Sequence, residues 1–204
     1  MNKKLILVLG GARSGKSAFA EQLAGQIGER VLFVATAAPG DEEMQQRIEI
    51  HRRRRPTGWR TVEASEKVGE AIRRHLADAQ VVLLDCLTLL ASNILMRVAG
   101  EEPSGEEAQV AEGRIGEEVE EILESYEAGS ASLIVVSNEV GLGLVPPYPL
   151  GRVYRDVLGR ANQLMAARAD QIFFMIAGLP IDLRQLQAVI GQAKDARELP
   201  ERQV

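Results

Sequence analysis

Chemistry is most legible in the stretch GGARSGKS, Gly10 to Ser17, which fits the spacing G-x-x-x-x-G-K-[ST]. Gly10, Gly11 and Gly15, with Ala12, Arg13 and Ser14 between them, would let backbone amides turn inward around phosphate oxygens. Lys16 would reach the β- and γ-phosphates, and the Ser17 hydroxyl would ligate Mg²⁺. The same residues could form a ligand-free glycine turn that caps a helix. An apolar strand before the loop and a helical pattern after it favour the phosphate reading. The acidic partner is Asp85, near the end of the run VVLLDC and placed to hold Mg²⁺ directly or through water. An aspartate there also suits a plain helix cap. Thr88 has two readings as well, an assistant at the metal or a loop hydroxyl bonded to backbone.

The stretch IEIHRRRRP sets His51, one of two histidines, ahead of Arg52, Arg53, Arg54 and Arg55. Met44, Ile48 and His51 share a helix face at i, i+4 and i+7, with Asp41, Glu42 and Glu43 in the first turn. Taken alone, this is a helix-end histidine followed by solvated arginines. The second histidine, His75, sits on an amphipathic helix and receives no function.

These groups need a frame. Five short apolar runs, 5–10, 31–36, 81–86, 133–138 and 171–178, lack polar alternation, as strands buried on both faces do. Helix-like segments fall at 16–27, 41–54, 65–77, 107–127 and 150–168. The alternation predicts an α/β fold of the P-loop NTPase class, with a parallel sheet flanked by helices and its site beyond the carboxyl ends of the strands. The reading is one nucleotide-binding domain over 1–181 and a polar tail, 182–204, as a loosely docked helix. The segment 100–109 is expected to be an acidic loop leading into a helix.

The 204 residues are 46% hydrophobic and 26% charged, enough for one well-filled core. No run approaches the ~18 apolar residues of a membrane span. MNKKLILVLGG reads as a first strand, not a signal peptide. The single Cys86 excludes an internal disulfide and suits the cytoplasm. A net charge of −5 argues against nucleic acid as a partner.

GGARSGKS, VATA, DEEMQQRI, a histidine with RP shortly after, WRTVE, DCLT, SNEVGLGLVP and GRANQLMAARAD occur in this order. In that order the chain resembles the bifunctional adenosylcobinamide kinase/adenosylcobinamide-phosphate guanylyltransferases of cobalamin biosynthesis, over about residues 4 to 180. The resemblance implies a RecA-like fold with a mostly parallel sheet. It implies that Val34, Ala35 and Thr36 line the nucleotide, that His51 becomes guanylylated and that Arg52 to Arg55 contact the guanine nucleotide. It places Glu63 and Asp85 at the nucleotide and metal site. Its substrates would be ATP or GTP and a corrinoid, with Mg²⁺ as cofactor and a homo-oligomer, such as a trimer, as the assembled form. The four-arginine run is more basic than the usual pattern, and the tail extends past the usual end.

On this reading the kinase step moves a γ-phosphoryl group to the hydroxyl on the aminopropanol arm of cobinamide. In the second activity neutral His51 attacks the α-phosphorus of GTP and releases pyrophosphate; cobinamide phosphate then displaces the histidine. The arginines would disfavour imidazolium and screen the triphosphate from the anionic acceptor. The corrinoid is expected at SNEVGLGLVPPYP and at GRANQ, read as a helix start, unless the former is a loop covering the sheet edge. The rival readings are a single-activity small-molecule kinase, with His51 structural, and a RecA-type nucleotide-dependent switch.

Overall fold

In the computed structural model, residues 3–37, 56, 58–100 and 102–195 are described. The apolar runs form the strands β1 (Leu5–Gly10), β2 (Val31–Ala35), β4 (Val81–Asp85), β5 (Ser132–Val136) and β6 (Gln171–Ile176). Two short strands join them, β3 (Arg60–Glu63) and β7 (Leu179–Asp182). The order across the sheet is β3-β2-β4-β5-β1-β6-β7. The first six strands run parallel and β7 is antiparallel to β6.

The helices are α1 (Lys16–Ile27), α2 (Val68–His75), α3 (Leu87–Val98), α4 (Gly105–Ala128), α5 (Pro149–Arg168) and α6 (Leu183–Asp195). Successive strand residues point to opposite faces, so each central strand feeds two cores. Leu5, Leu7, Leu32, Val34, Leu84, Leu133 and Val135 meet α2 to α5 in the larger cluster. Ile6, Val8, Phe33, Leu83 and Ile134 meet α1, whose Ala20 and Ala24 let the helix lie close on the sheet. This two-sided covering is why the strands read as continuous apolar runs and not as alternating ones.

Four elements depart from the expected plan. The residues after Asp85 form the twelve-residue helix α3 and not an open DCLT loop. Its Leu87, Leu90, Ala91, Ile94 and Leu95 are all buried, which blurs an amphipathic signal. β3 and β7 have four residues each, too few for a periodicity argument. The segment 107–127 begins two residues early, at Gly105, under a capping box. Ser104 Oγ accepts from the Glu107 amide, and Glu107 Oε2 accepts from the Ser104 amide at 2.8 Å. Those bonds hold the exposed Glu107 carboxyl below its ordinary pKa.

The expected division at residue 181 lies within β7. The helix that follows is tied to the body where Arg184 Nη2 donates to the carbonyls of Ala166 (2.7 Å) and Ala169 (3.2 Å). The expected helix over 41–54 lies outside the described residues, as do His51 and Arg52 to Arg55.

Candidate active site at the carboxyl edge of the sheet

The phosphate loop leaves β1 in a conformation that only some residues tolerate. Gly10 has φ 149° and Gly15 φ 97°, both outside the range that side-chain-bearing residues prefer. A Cβ on Gly10 would stand 2.6 Å from the Met175 carbonyl oxygen, and one on Gly15 would stand 3.2 Å from Gly178 Cα. The loop is thus pressed against the β6–β7 turn, where the Gly178 amide donates to the Ser14 carbonyl at 3.0 Å. Gly11, Ala12 and Arg13 are exposed at the tip, and Arg13 itself takes φ 57°.

Lys16 opens α1 and folds back over the loop, its Nζ donating to the Gly11 carbonyl at 2.6 Å. Burial lowers its pKa from the ordinary lysine value, while its electrostatic coupling to Cys86 and Asp85 acts to raise it. Lys16 and Asp85 therefore sense each other electrostatically. Ser14 Oγ is buried within the loop and has no hydrogen-bond partner among the described residues.

Asp85 ends β4, half-buried, in register with Ala35 on one side and Val136 on the other. Thr36 locks the next residue: its Oγ1 donates to the Cys86 carbonyl (2.7 Å) and accepts from the Cys86 amide (2.8 Å). Asn93 Nδ2 in turn donates to the carbonyls of Thr36 (2.9 Å) and Ser65 (3.1 Å). Thr36 is fully buried, so its hydroxyl shapes the Asp85–Cys86 corner. Val34 is buried in the larger apolar cluster, and Ala35 packs in the smaller one. Burial and the neighbouring Asp85 push the Cys86 thiol up to about 11, which keeps it protonated at neutral pH.

Glu63 ends β3 exposed, in register with Ala35 across from Asp85. Two strand spacings separate the two acids, roughly 10 Å between backbones. Thr88 is not a loop residue. It lies in the first turn of α3, buried, and its Oγ1 accepts from the Asn138 amide at 2.7 Å. The backbone-bonded alternative is thus the contact present. GRANQ, Gly159 to Gln163, is not a helix start either: α5 begins ten residues earlier, at Pro149, so the segment sits in its interior. The expectation failed because Pro149 at the first helical position is the stronger start signal. Asn93 is missed from sequence, and Ser137 and Asn162 are read only as parts of SNEVGLGLVPPYP and GRANQ; all three are buried or half-buried polar groups whose partners are distant in the chain. No local pattern marks these bonds.

The donors on offer are hard oxygens, the hydroxyl of Ser17 in the first turn of α1 and the carboxylate of Asp85 at the end of β4. Among the described residues no three His, Cys, Asp or Glu side chains form a metal cage. That set suits Mg²⁺, which keeps several waters and takes one or two protein ligands plus substrate phosphates.

A mostly parallel sheet carrying a phosphate loop at its carboxyl edge defines a P-loop NTPase-fold enzyme. The model of the family described as cobinamide kinase / cobinamide phosphate guanyltransferase (CobU) matches residues 6–183. The bifunctional adenosylcobalamin biosynthesis protein CobU of Escherichia coli is 39% identical over 181 residues, 88% of this chain and 99% of that protein. The bifunctional adenosylcobalamin biosynthesis protein CobP of Pseudomonas aeruginosa is 41% identical over 178 residues, 87% and 96% of the two chains. The chain belongs to this family and is a transferase. No helix among the described residues is long and apolar enough to cross a membrane.

Proposed function

We propose that the protein phosphorylates the aminopropanol hydroxyl of (adenosyl)cobinamide with ATP or GTP. It then transfers GMP from GTP to that phosphate, yielding (adenosyl)GDP-cobinamide and pyrophosphate. The observation that carries the reading is the loop from Gly10 to Ser17, with Lys16 bent back onto the Gly11 carbonyl within the electrostatic reach of Asp85.

In the kinase step the loop amides and Lys16 bind the β- and γ-phosphates, and Lys16 neutralises charge that spreads over the transferred group. Ser17 and Asp85 would hold Mg²⁺, which supplies charge neutralisation at the phosphates when bound. Arg13, exposed at the loop tip, can meet the same anion. In the guanylyl step a ring nitrogen of His51 forms a bond to the α-phosphorus while the α–β phosphoanhydride bond breaks, and pyrophosphate leaves. An oxygen of cobinamide phosphate then bonds to the same phosphorus as the N–P bond breaks, freeing His51. Arg52 to Arg55 and Glu63 serve the guanine nucleotide on this reading. The loop over 140–148 takes the corrinoid: Leu142, Leu144, Val145 and Tyr148 are all exposed on it, with Leu144 at 96%.

Incubation with α-labelled GTP and Mg²⁺ is expected to leave an acid-labile, alkali-stable label on the protein. The label should be lost in His51→Ala, with kinase activity kept within about threefold. Label persisting in His51→Ala would overturn the covalent assignment.

A further inference from the structure

The corner Ser137–Asn138–Glu139 follows β5, and the strand order places it between the phosphate loop of β1 and the Asp85 end of β4. It is bonded on both sides. The Ser137 amide donates to the Val8 carbonyl (2.9 Å), and the Glu139 amide donates to the Gly10 carbonyl (3.0 Å). The Asn138 amide donates to Thr88 Oγ1 at 2.7 Å, three residues beyond Asp85.

What fixes this corner from below is α5. Asn162, buried in that helix, uses both ends of its carboxamide: Oδ1 accepts from Ser137 Oγ at 2.6 Å, and Nδ2 donates to the Asn138 carbonyl at 3.0 Å. Two turns earlier on the same helix, Tyr154 donates from its hydroxyl to the Thr88 carbonyl at 3.2 Å. Burial pushes the Tyr154 phenol well above its ordinary pKa, so it stays a donor at any working pH. Leu158, between them at i+4, is fully buried and anchors the helix in the larger core. One face of α5 thus holds the tip of β5 and the first turn of α3.

We propose that Asn162 is a positioning residue for the nucleotide: by clamping Ser137 and Asn138 it sets where the Gly10 carbonyl, and hence the phosphate loop, stands relative to Asp85. This rests on the reading of Gly10 to Ser17 as the nucleotide site. Asparagine is required because the clamp needs one acceptor and one donor on a single short side chain. Aspartate supplies the acceptor for Ser137 but turns an oxygen towards the Asn138 carbonyl. A displacement of the order of 1 Å at a site of this kind costs up to about a hundredfold in rate.

The test compares Asn162→Asp, Ser137→Ala, Lys16→Ala and the exposed same-helix control Asp156→Asn, each as the full chain with GTP, Mg²⁺ and cobinamide. Rates are normalised to folded protein from thermal melts. For Asn162→Asp the nucleotide KM is expected to rise about tenfold or more, with the cobinamide KM within twofold. Ser137→Ala, which removes only the bond orienting the carboxamide, is expected to raise the nucleotide KM about threefold. Asp156→Asn should match the parent. If the folded fractions of Asn162→Asp and Ser137→Ala both keep the parent nucleotide KM, Asn162 is only a core residue and the proposal falls. Should Asn162→Asp not fold, Ser137→Ala decides alone. Binding of a fluorescent GTP analogue to Lys16→Ala separates the two levels: unaltered affinity there would overturn the nucleotide-site reading and this inference with it.

Discussion

Two consecutive stretches after β5 are built in opposite ways. Ser137 to Glu139 have their backbones bonded to Val8, Thr88, Asn162 and Gly10, and Ser137 is fully buried. Beyond Glu139 the chain carries Leu142, Leu144, Val145 and Tyr148 outward into solvent. Glu139 marks the join, its Oε1 accepting from the Gly141 amide at 2.5 Å. The first stretch is set before any ligand arrives, as electrostatic stabilisation of phosphate transfer demands. The second keeps apolar side chains in water, a cost that is recovered when something flat and apolar covers them. On the proposed reading, phosphate handling and acceptor binding separate along the twelve residues from Ser137 to Tyr148.

That separation can be broken at its rigid end first. Gly10→Ala puts a methyl 2.6 Å from the Met175 carbonyl at φ 149°, and is expected to cost about 1–3 kcal/mol of stability. Chemical denaturation reads the first effect. The nucleotide KM, expected to rise tenfold or more while the cobinamide KM stays put, reads the second. If both KM values rose together, the two stretches would not be separable.

A pH series gives a smaller effect with a definite sign. Burial lowers the Lys16 pKa in the empty site, and bound phosphates favour the charged ammonium. Nucleotide binding therefore takes up a proton once the pH exceeds the lowered value, and affinity should fall by up to about tenfold per unit above it. Between the folded and unfolded pKa values the unfolded chain binds more protons, so stability of the empty protein should rise with pH over the same window. Titrations with a fluorescent GTP analogue from neutral to alkaline pH read the slope. Lys16→Arg, charged throughout, should flatten it.

The smallest effect is expected at the exposed end. Leu144→Ser should change stability by less than about 0.5 kcal/mol, since the side chain is 96% exposed. The cobinamide KM should rise about three- to tenfold with the nucleotide KM unchanged. An unaltered cobinamide KM would remove this loop from the acceptor site.

Sequence made the five long strands and the phosphate loop legible because their signals are local: an apolar run, or residues at fixed spacing. Leu5–Gly10 and Lys16–Ile27 fall where the pattern put them. α3 was hidden because a helix wedged between sheet and helices buries several faces and loses its period. Thr36 was legible as a site-edge residue, but not as the group that grips both the amide and the carbonyl of Cys86. Asn162 was read within a motif as part of a surface, while its carboxamide is bonded inward to residues 24 and 25 positions earlier. Bonds of that length leave no trace in spacing, because only the fold brings their ends together.

The register of β1 has a consequence for how the molecule is made. Leu5 pairs with Leu133 and Ile6 with Gln171, so the strand that leads into the phosphate loop has both its neighbours late in the chain. During synthesis β1 emerges early and waits, an apolar ribbon with two open edges, until those segments have left the ribosome. Pairings this distant in sequence are slow to close. The nucleotide site is therefore finished near the end of folding, and nucleotide added to refolding protein should capture the completed fold without speeding the steps before it.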